Sequence, residues 1–250
     1  MTIRPPFLAE VRLREDRVLA GTHPFTMPLL QRDFALRFTA PVTILVGENG
    51  SGKSTLMEAL AWNVGFGAQG GSRDQQLGQG AEGRALGHAL ALTWHQRTGN
   101  GFFLRAETFF NFATSVEASG SNMARYGGRP LHSRSHGEAF LALFEHRFGE
   151  GLFLLDEPEA ALSPQRQLAF LRILHDLTAT GRAQFLIATH SPLLLAFPGA
   201  TVLSLDGGAL TPVDYRDTEH FRVTRDFLAD PERYFRYLFA DDPVGERDSE

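Results

Sequence analysis

The chain has 250 residues, 43% hydrophobic and 21% charged, the size and balance expected of one large soluble α/β domain. Its formal net charge of −5 argues against a protein that coats nucleic acid by charge alone, and leaves a local arginine patch open. Zero cysteines exclude disulfides, thiolate metal sites and cysteine nucleophiles, which fits the cytoplasm. No apolar stretch reaches bilayer-spanning length, and residues 1–10 lack the charged-then-apolar layout of a secretory signal, so direct membrane insertion is not expected.

Residues 1–46 contain extended runs at 7–13, 34–38 and 42–46, interrupted by His23-Pro24-Phe25 and Met27-Pro28. They read as a β-rich edge. The last run, Pro41-Val42-Thr43-Ile44-Leu45-Val46, has the β-branched, apolar character of a buried parallel strand.

Gly47-Glu48-Asn49-Gly50-Ser51-Gly52-Lys53-Ser54 follows, a match to the phosphate-loop pattern G-x-x-x-x-G-K-[ST]. Its glycines let backbone N–H groups turn inward around phosphate oxygens. Lys53 is the only lysine among the 24 cationic residues. Codon bias explains the arginines; the exception marks a place where a compact ammonium fits and a planar guanidinium does not. Residues 54–62 read as a helix, so a helix N-terminus is aimed at an anion. The ligand this predicts is a nucleoside triphosphate.

Residues 65–134 are richer in Gly, Ser, Asn and Gln, with loops expected at 65–71 and 78–83 and strands around Gly99-Asn100-Gly101. Ser133-Arg134-Ser135-His136-Gly137-Glu138 precedes a helix over 139–148 that carries Phe140, Phe144 and Phe148 on one face. Ser135 and Gly137 form either a plain N-cap or an anion site at the positive helix end. If they form an anion site, it makes sense as one serving the nucleotide of another subunit.

Gly151-Leu152-Phe153-Leu154-Leu155-Asp156-Glu157-Pro158 is an apolar strand ending in two acids. Such a pair can be a turn. Beside a phosphate loop, Asp156 is a candidate Mg²⁺ holder and Glu157 a candidate to polarise an attacking water. Ala188-Thr189-His190-Ser191 closes the next apolar run, which places His190 at the same sheet edge, either as a loop residue or facing the γ-phosphate. Residues 201–205 and 209–215 read as strands joined at Asp206-Gly207-Gly208. Asp230-Pro231 opens a last helix to Phe239 whose apolar residues lie on more than one side, from core packing or from partner docking. Residues 241–250 form an acidic end expected to fray.

Together these residues resemble the ABC-type ATPase superfamily, with its SMC-like and RecF-like branch and the small bacterial predicted ATPases labelled AAA family ATPase. The resemblance covers nearly the whole chain. Residues 47–54 match Walker A, 152–157 match Walker B, and Ser135-His136-Gly137-Glu138 resembles the signature motif with histidine at its usual first glycine. Ala160-Ala161-Leu162-Ser163 stands at the D-loop with serine where aspartate is usual, and His190 matches the switch histidine.

The resemblance implies a doubly wound, mainly parallel P-loop sheet with an N-terminal antiparallel β edge and a small inserted subdomain. The single domain 1–250 would divide at 1–64, 65–150 and 151–250. It implies an Mg²⁺-dependent ATPase in which Lys53 and the 47–54 loop hold the phosphates, with Thr55 beside them. Ser54 and Asp156 would hold Mg²⁺, Glu157 would activate water and His190 would sense the γ-phosphate. Glu107 would stand at the Q-loop as a switch residue near the metal, or be an ordinary solvated glutamate. Phe25, or His23, would stack on adenine, or pack at a strand end. An ATP-sandwiched homodimer is implied, each phosphate loop facing the other copy's Ser135 and Gly137. ATP is favoured over GTP because no Asn-Lys-x-Asp element is present. For the process driven, the resemblance leaves open a nucleic-acid-linked role in repair or phage defence, the ATP-binding subunit of a transporter, and a nucleotide-gated interaction module with a partner protein.

Overall fold

Alternation along three apolar strands decides the layout. The computed structural model describes residues 4–30, 33–67, 71, 81–118 and 128–240. In it, β3 (Val42–Val46), β6 (Gly151–Asp156) and β7 (Ala183–Ala188) are buried along their whole length. Val42, Ile44, Phe153, Leu155, Phe185 and Ile187 face one core, and Leu45, Leu152, Leu154 and Leu186 face another. A strand that is buried at every position needs cover on both faces, which parallel pairing with crossover helices supplies.

β3 pairs in parallel with β7 and with β8 (Thr201–Ser204), β7 with β6, and β6 with β5 (Gly101–Arg105). β9 (Thr211–Pro212) closes the sheet antiparallel, in the order β5-β6-β7-β3-β8-β9. The sheet is the mainly parallel α/β platform the sequence predicts. The hairpin expected at 201–215 is present as the β8–β9 pair, but its second strand, read as 209–215, is only two residues long and Tyr215 opens a helical turn.

The two N-terminal strands join a strand from the 65–150 region in a second sheet. β1 (Leu8–Leu13) lies between β2 (Ala35–Arg37) and β4 (Leu90–Trp94), antiparallel to both. α1 (Lys53–Val64) contributes Leu56, Met57 and Leu60 to one core with Leu8, Val11 and Leu36 of this sheet and with Leu45 and Leu154 of the other. Gln184, fully buried on β7, accepts from the N–H groups of Phe7 and Leu8 at 2.7 and 2.9 Å and donates to the Leu8 carbonyl at 3.0 Å. Its amide is satisfied on both ends and ties the two sheets together.

The remaining helices are α2 (Ala81–Ala89), α3 (Phe109–Ala118), α4 (His136–Arg147), α5 (Pro164–Ala179), α6 (Pro192–Leu195), α7 (Glu219–Ala229) and α8 (Pro231–Leu238). Phe140, Phe144 and Phe148 are buried as their spacing predicts, with ring centroids 5.1 and 4.3 Å apart, and Phe148 stacks on Phe153 at 4.4 Å. Of the glycine-rich segments read as loops, 65–71 lies partly and 78–80 wholly outside the described residues, and 81–83 opens α2. The acidic end, 241–250, also lies outside them.

Core packing is not the reason α8 is apolar. None of its residues is buried, and Tyr237 and the following Phe239 are 79% and 73% exposed. The helix comes after the last strand, and its rings meet Phe227 of α7, 5.6 Å from Tyr234 and 5.8 Å from Phe235. Among the described residues no helix is long and apolar enough to cross a membrane.

Candidate phosphate-handling site

Because β7 lies between β3 and β6 in a parallel sheet, the chain segments that leave these three strands emerge side by side at one edge. Those segments carry Lys53 and Ser54, Asp156 and Glu157, and His190. Residues far apart in sequence thereby share one site, at the carboxyl ends of the strands where open α/β sheets bind ligands.

The loop from β3 to α1 turns through Gly50 (φ 81°) and Gly52 (φ 94°), and Gly52 caps α1 in a left-handed conformation that favours glycine. Lys53 opens the helix and is buried. Its ammonium donates to the carbonyls of Gly47 and Glu48 at 2.6 and 2.9 Å and to Ser51 Oγ at 3.3 Å. Burial lowers its pKa, while the nearby carboxylates of Glu157, Asp156 and Asp206 oppose that shift. Asn49 is exposed on the loop, and Thr55 is half-buried in the first turn of α1. The Glu48 N–H donates to Asp206 Oδ1 at 3.0 Å, so the β8–β9 turn braces the phosphate loop. Glu48, Asn49, Gly50 and Ser51 line a recess of about 380 Å³ with Pro28 and Asp206.

Asp156 ends β6 at 2% exposure, and burial pushes its carboxyl up to about 6, against the pull of Arg105 and of Ser54. Ser54 Oγ donates to Asp156 Oδ1 at 3.2 Å. The backbone then reverses hand at Glu157 (φ 49°), the one described non-glycine residue with positive φ, and its side chain is 44% exposed. Two adjacent acids thus take different environments. A cavity of about 500 Å³ is lined by Ser54, Asp156, Glu157, Arg105, Glu107 and Ala161, among others.

Hard oxygen donors at such a wall, one of them a buried carboxylate favouring a cation, fit Mg²⁺, which takes few protein ligands. Arg105 already supplies a cation there. Paired with Asp156 across β5 and β6, it places Nε 3.5 Å from Asp156 Oδ2 and Nη2 3.1 Å from Glu107, and Nη1 donates to Glu58. Glu107 stands on the cavity rim, exposed and held by Arg105.

His190 leaves β7 with its backbone N–H donated to Glu159 Oε1 at 2.7 Å. Its Nε2 lies 3.6 Å from Glu157 Oε1 and has no hydrogen-bond partner although buried. Its Nδ1 lies 2.7 Å from His220 Nε2. Burial and the charge of Lys53 lower the His190 pKa, and burial raises that of Glu159.

Ser135 is the N-cap of α4, and its N–H donates to Glu138 Oε2 at 3.0 Å. Glu138 also pairs with Arg166 at 3.3 Å. The plain-cap reading of this start is therefore present, and a carboxylate already meets the helix dipole. A Cβ on Gly137 would lie 2.6 Å from Arg166 and 3.2 Å from the Ala161 carbonyl, so this glycine lets α4 close on the stretch that precedes α5. Ser163 caps α5.

Residues 21–101 match a family model described as AAA domain, and residues 135–196 match one described as "AAA domain, putative AbiEii toxin, Type IV TA system". The first spans the phosphate loop, and the second spans Ser135, Asp156, Glu157 and His190. A relative, the zinc import ATP-binding protein ZnuC of Paracoccus denitrificans (strain Pd 1222), is 27% identical over 197 residues, 76% of this chain and 74% of its own. Among solved structures, cbiO1 from Clostridium perfringens, part of the ABC transporter complex cbiONQ, is similar with a TM-score of 0.50 at 15% identity, over 93% of this chain and 99% of that one. The SMC head domain from Thermotoga maritima gives 0.48 at 18% identity, over 83% and 99%. The two family models are both AAA domains, the curated relative is an ATP-binding protein, and the likeness to cbiO1 shows the fold of an ABC-type P-loop domain.

The adenine-stacking role expected of Phe25 does not fit its surroundings. Phe25 is 3% exposed, packed in the core between the two sheets with Met27 and Leu29, and has no ring face free for a base. His23 is exposed on the same turn. Sequence reasoning also missed Arg105, Glu159, Asp206 and His220. Arg105 stands two residues before Glu107, and strand pairing alone brings it to Asp156. Asp206 carried a turn signal, and nothing in the sequence around His220 marks it as a site residue.

Proposed function

We propose that the chain binds ATP with Mg²⁺ and hydrolyses it to ADP and phosphate. The observation that carries this reading is the convergence of Ser54 on Asp156 (3.2 Å) and of His190 on Glu157 (3.6 Å) at the edge where Lys53 opens its helix. Lys53 and the N–H groups of residues 47–54 would take the β- and γ-phosphates. Ser54 and Asp156 would hold Mg²⁺, with Glu107 on the rim. That ion would draw charge from the β- and γ-phosphate oxygens.

Glu157, reaching from a buried strand end into solvent, would orient water and take its proton as the new P–O bond forms and the bond to ADP breaks. His190 Nε2 would donate to a γ-phosphate oxygen. Position and charge do most of the work in such a reaction. Completion by Ser135 and Gly137 of a second copy, in an ATP-sandwiched homodimer, follows the superfamily pattern.

Phosphate release measured with and without Mg²⁺, in wild type and Glu157→Gln, tests the reading. Glu157→Gln is expected to bind ATP, lose about 10²- to 10⁴-fold of turnover, and pass from monomer to dimer in ATP but not in ADP by light scattering. Ser135→Arg in the same background is expected to block the dimer and spare ATP binding. Normal hydrolysis by Glu157→Gln removes this carboxylate from the mechanism.

For the process driven, the SMC-like and RecF-like resemblance favours a nucleic-acid-linked role in repair or phage defence, and the departures at Glu138 and Ser163 lean away from a transporter subunit. The zinc-import relative favours the ATP-binding subunit of a transporter. Turnover stimulated by DNA supports the first; turnover indifferent to DNA and raised by a co-expressed membrane partner supports the second.

A further inference from the structure

We infer that His220 is a positioning residue for His190: it donates Nε2–H to His190 Nδ1 and so fixes the His190 proton on Nε2, the nitrogen facing Glu157. The inference rests on the hydrolase reading for its consequence, though not for its geometry. The two ring nitrogens lie 2.7 Å apart, with ring centroids at 4.8 Å, so one proton is shared between them and two N–H groups cannot face each other.

A neutral pair has two arrangements. With the proton on His190 Nδ1, the bare lone pair of His190 Nε2 would point at the Glu157 carboxylate 3.6 Å away, acceptor against acceptor. With the proton on His220 Nε2, His190 turns an N–H toward that carboxylate. Charge complementarity selects the second. His190 Nε2 has no hydrogen-bond partner although buried, so its N–H is available to a phosphate oxygen entering beside Glu157.

The donor is itself held in place. His220 is the second residue of α7, whose N-cap Thr218 is buried, accepts from the Phe221 N–H at 3.4 Å and donates to the Tyr215 carbonyl at 2.6 Å. Tyr215 meets Phe221 edge to face at 5.2 Å. From the other side, Glu159 fixes the His190 backbone. A segment beyond the last recognisable motif thus sets the proton position on the switch histidine. The orienter of a ring by a partner at its far nitrogen is familiar from metal-bound histidines.

Long-range ¹H–¹⁵N spectra of the imidazoles in the full chain read the tautomer directly, with His190→Gln assigning the signal. The expected result is Nε2–H in wild type, and Nδ1–H or a mixture in His220→Phe. His220→Phe should lower kcat for ATP about 10- to 100-fold, the range seen when a ring-orienting partner is removed, with KM within about twofold. His220→Gln, whose amide can donate to Nδ1, should restore most of the rate. Nδ1–H in wild type, or unchanged kcat in an active His220→Phe, overturns the inference. Wild type that turns over no ATP, yet shows Nε2–H that His220→Phe loses, keeps the inference and defeats the hydrolase reading.

Discussion

Arg105 lies against Asp156 at the ends of adjacent strands, Nε to Oδ2 at 3.5 Å, with its other nitrogens on Glu58 and Glu107. A guanidinium therefore faces the carboxylate that the proposed chemistry assigns to a metal ion. On that proposal the two cations would compete for one buried charge. Arg105→Met is expected to tighten Mg²⁺ binding several-fold in the presence of ATP. It should also lower the stability of the nucleotide-free chain by roughly 1.5–3 kcal/mol, the scale of one lost charge-assisted contact. Calorimetric Mg²⁺ titration and thermal melts read the two effects; weaker Mg²⁺ binding would show that Arg105 supports the metal rather than opposing it.

Asp156 should leave a mark on the pH dependence of stability. Its folded pKa, about 6, lies above the ordinary 3.8. Between these values the folded chain holds more protons than the unfolded one, so this group's contribution falls as pH rises through the window and is fully unfavourable above 6. The cost at neutral pH is on the order of 3 kcal/mol. Asp156→Asn should raise the melting temperature of the metal-free chain at pH 7.5 more than at pH 5 while weakening Mg²⁺-dependent binding. Equal shifts at both pH values would remove the carboxyl from this role.

Lys53 uses its ammonium on the carbonyls of its own loop, contacts made by a compact point charge that a planar fork does not reproduce. Lys53→Ala should abolish tight ATP·Mg²⁺ binding, and Lys53→Arg should fail as well. Equilibrium binding of a fluorescent ATP analogue decides this. Near-wild-type turnover in Lys53→Arg would mean that codon bias alone explains the arginines elsewhere.

Glu138 folds its carboxylate onto the start of α4, the helix end proposed to face the other copy's γ-phosphate. Glu138→Gln keeps a hydrogen-bond acceptor and removes the charge. It should tighten the ATP-dependent dimer of the Glu157→Gln background roughly 2- to 5-fold, the scale of one charge at a helix terminus. Sedimentation in ATP measures this, and an unchanged dimer constant would place α4 away from the phosphates.

What was legible in the sequence was what lies contiguously along it. The phosphate loop is a run of neighbours whose spacing is its own geometry, and the strand ending at Asp156 announces burial at every residue. Arg105 and His220 reach the site through strand pairing and the course of the C-terminal segment, which no local pattern encodes. Phe25 failed for the opposite reason, since an aromatic residue at a strand-end turn reads alike whether it faces a ligand or a core. The apolar run of α8 looked like core because apolar character is read along the chain, whereas burial depends on what packs against a helix, and none of the α8 residues is buried.

Lys53, Ser54, Asp156, Glu157 and His190 all leave the parallel sheet from one edge, and the opposite edge carries the short connections 38–41, 148–150, 180–182 and 196–200. In two of these connections Arg182 and Glu150 stand more than half exposed, 4.0 Å apart. Because the chain contains no cysteine, a single thiol placed at Arg182 would be unique without any further substitution. A fluorophore attached there would sit at the far end of the strands from the phosphates and could report the approach of a second copy without touching the reaction.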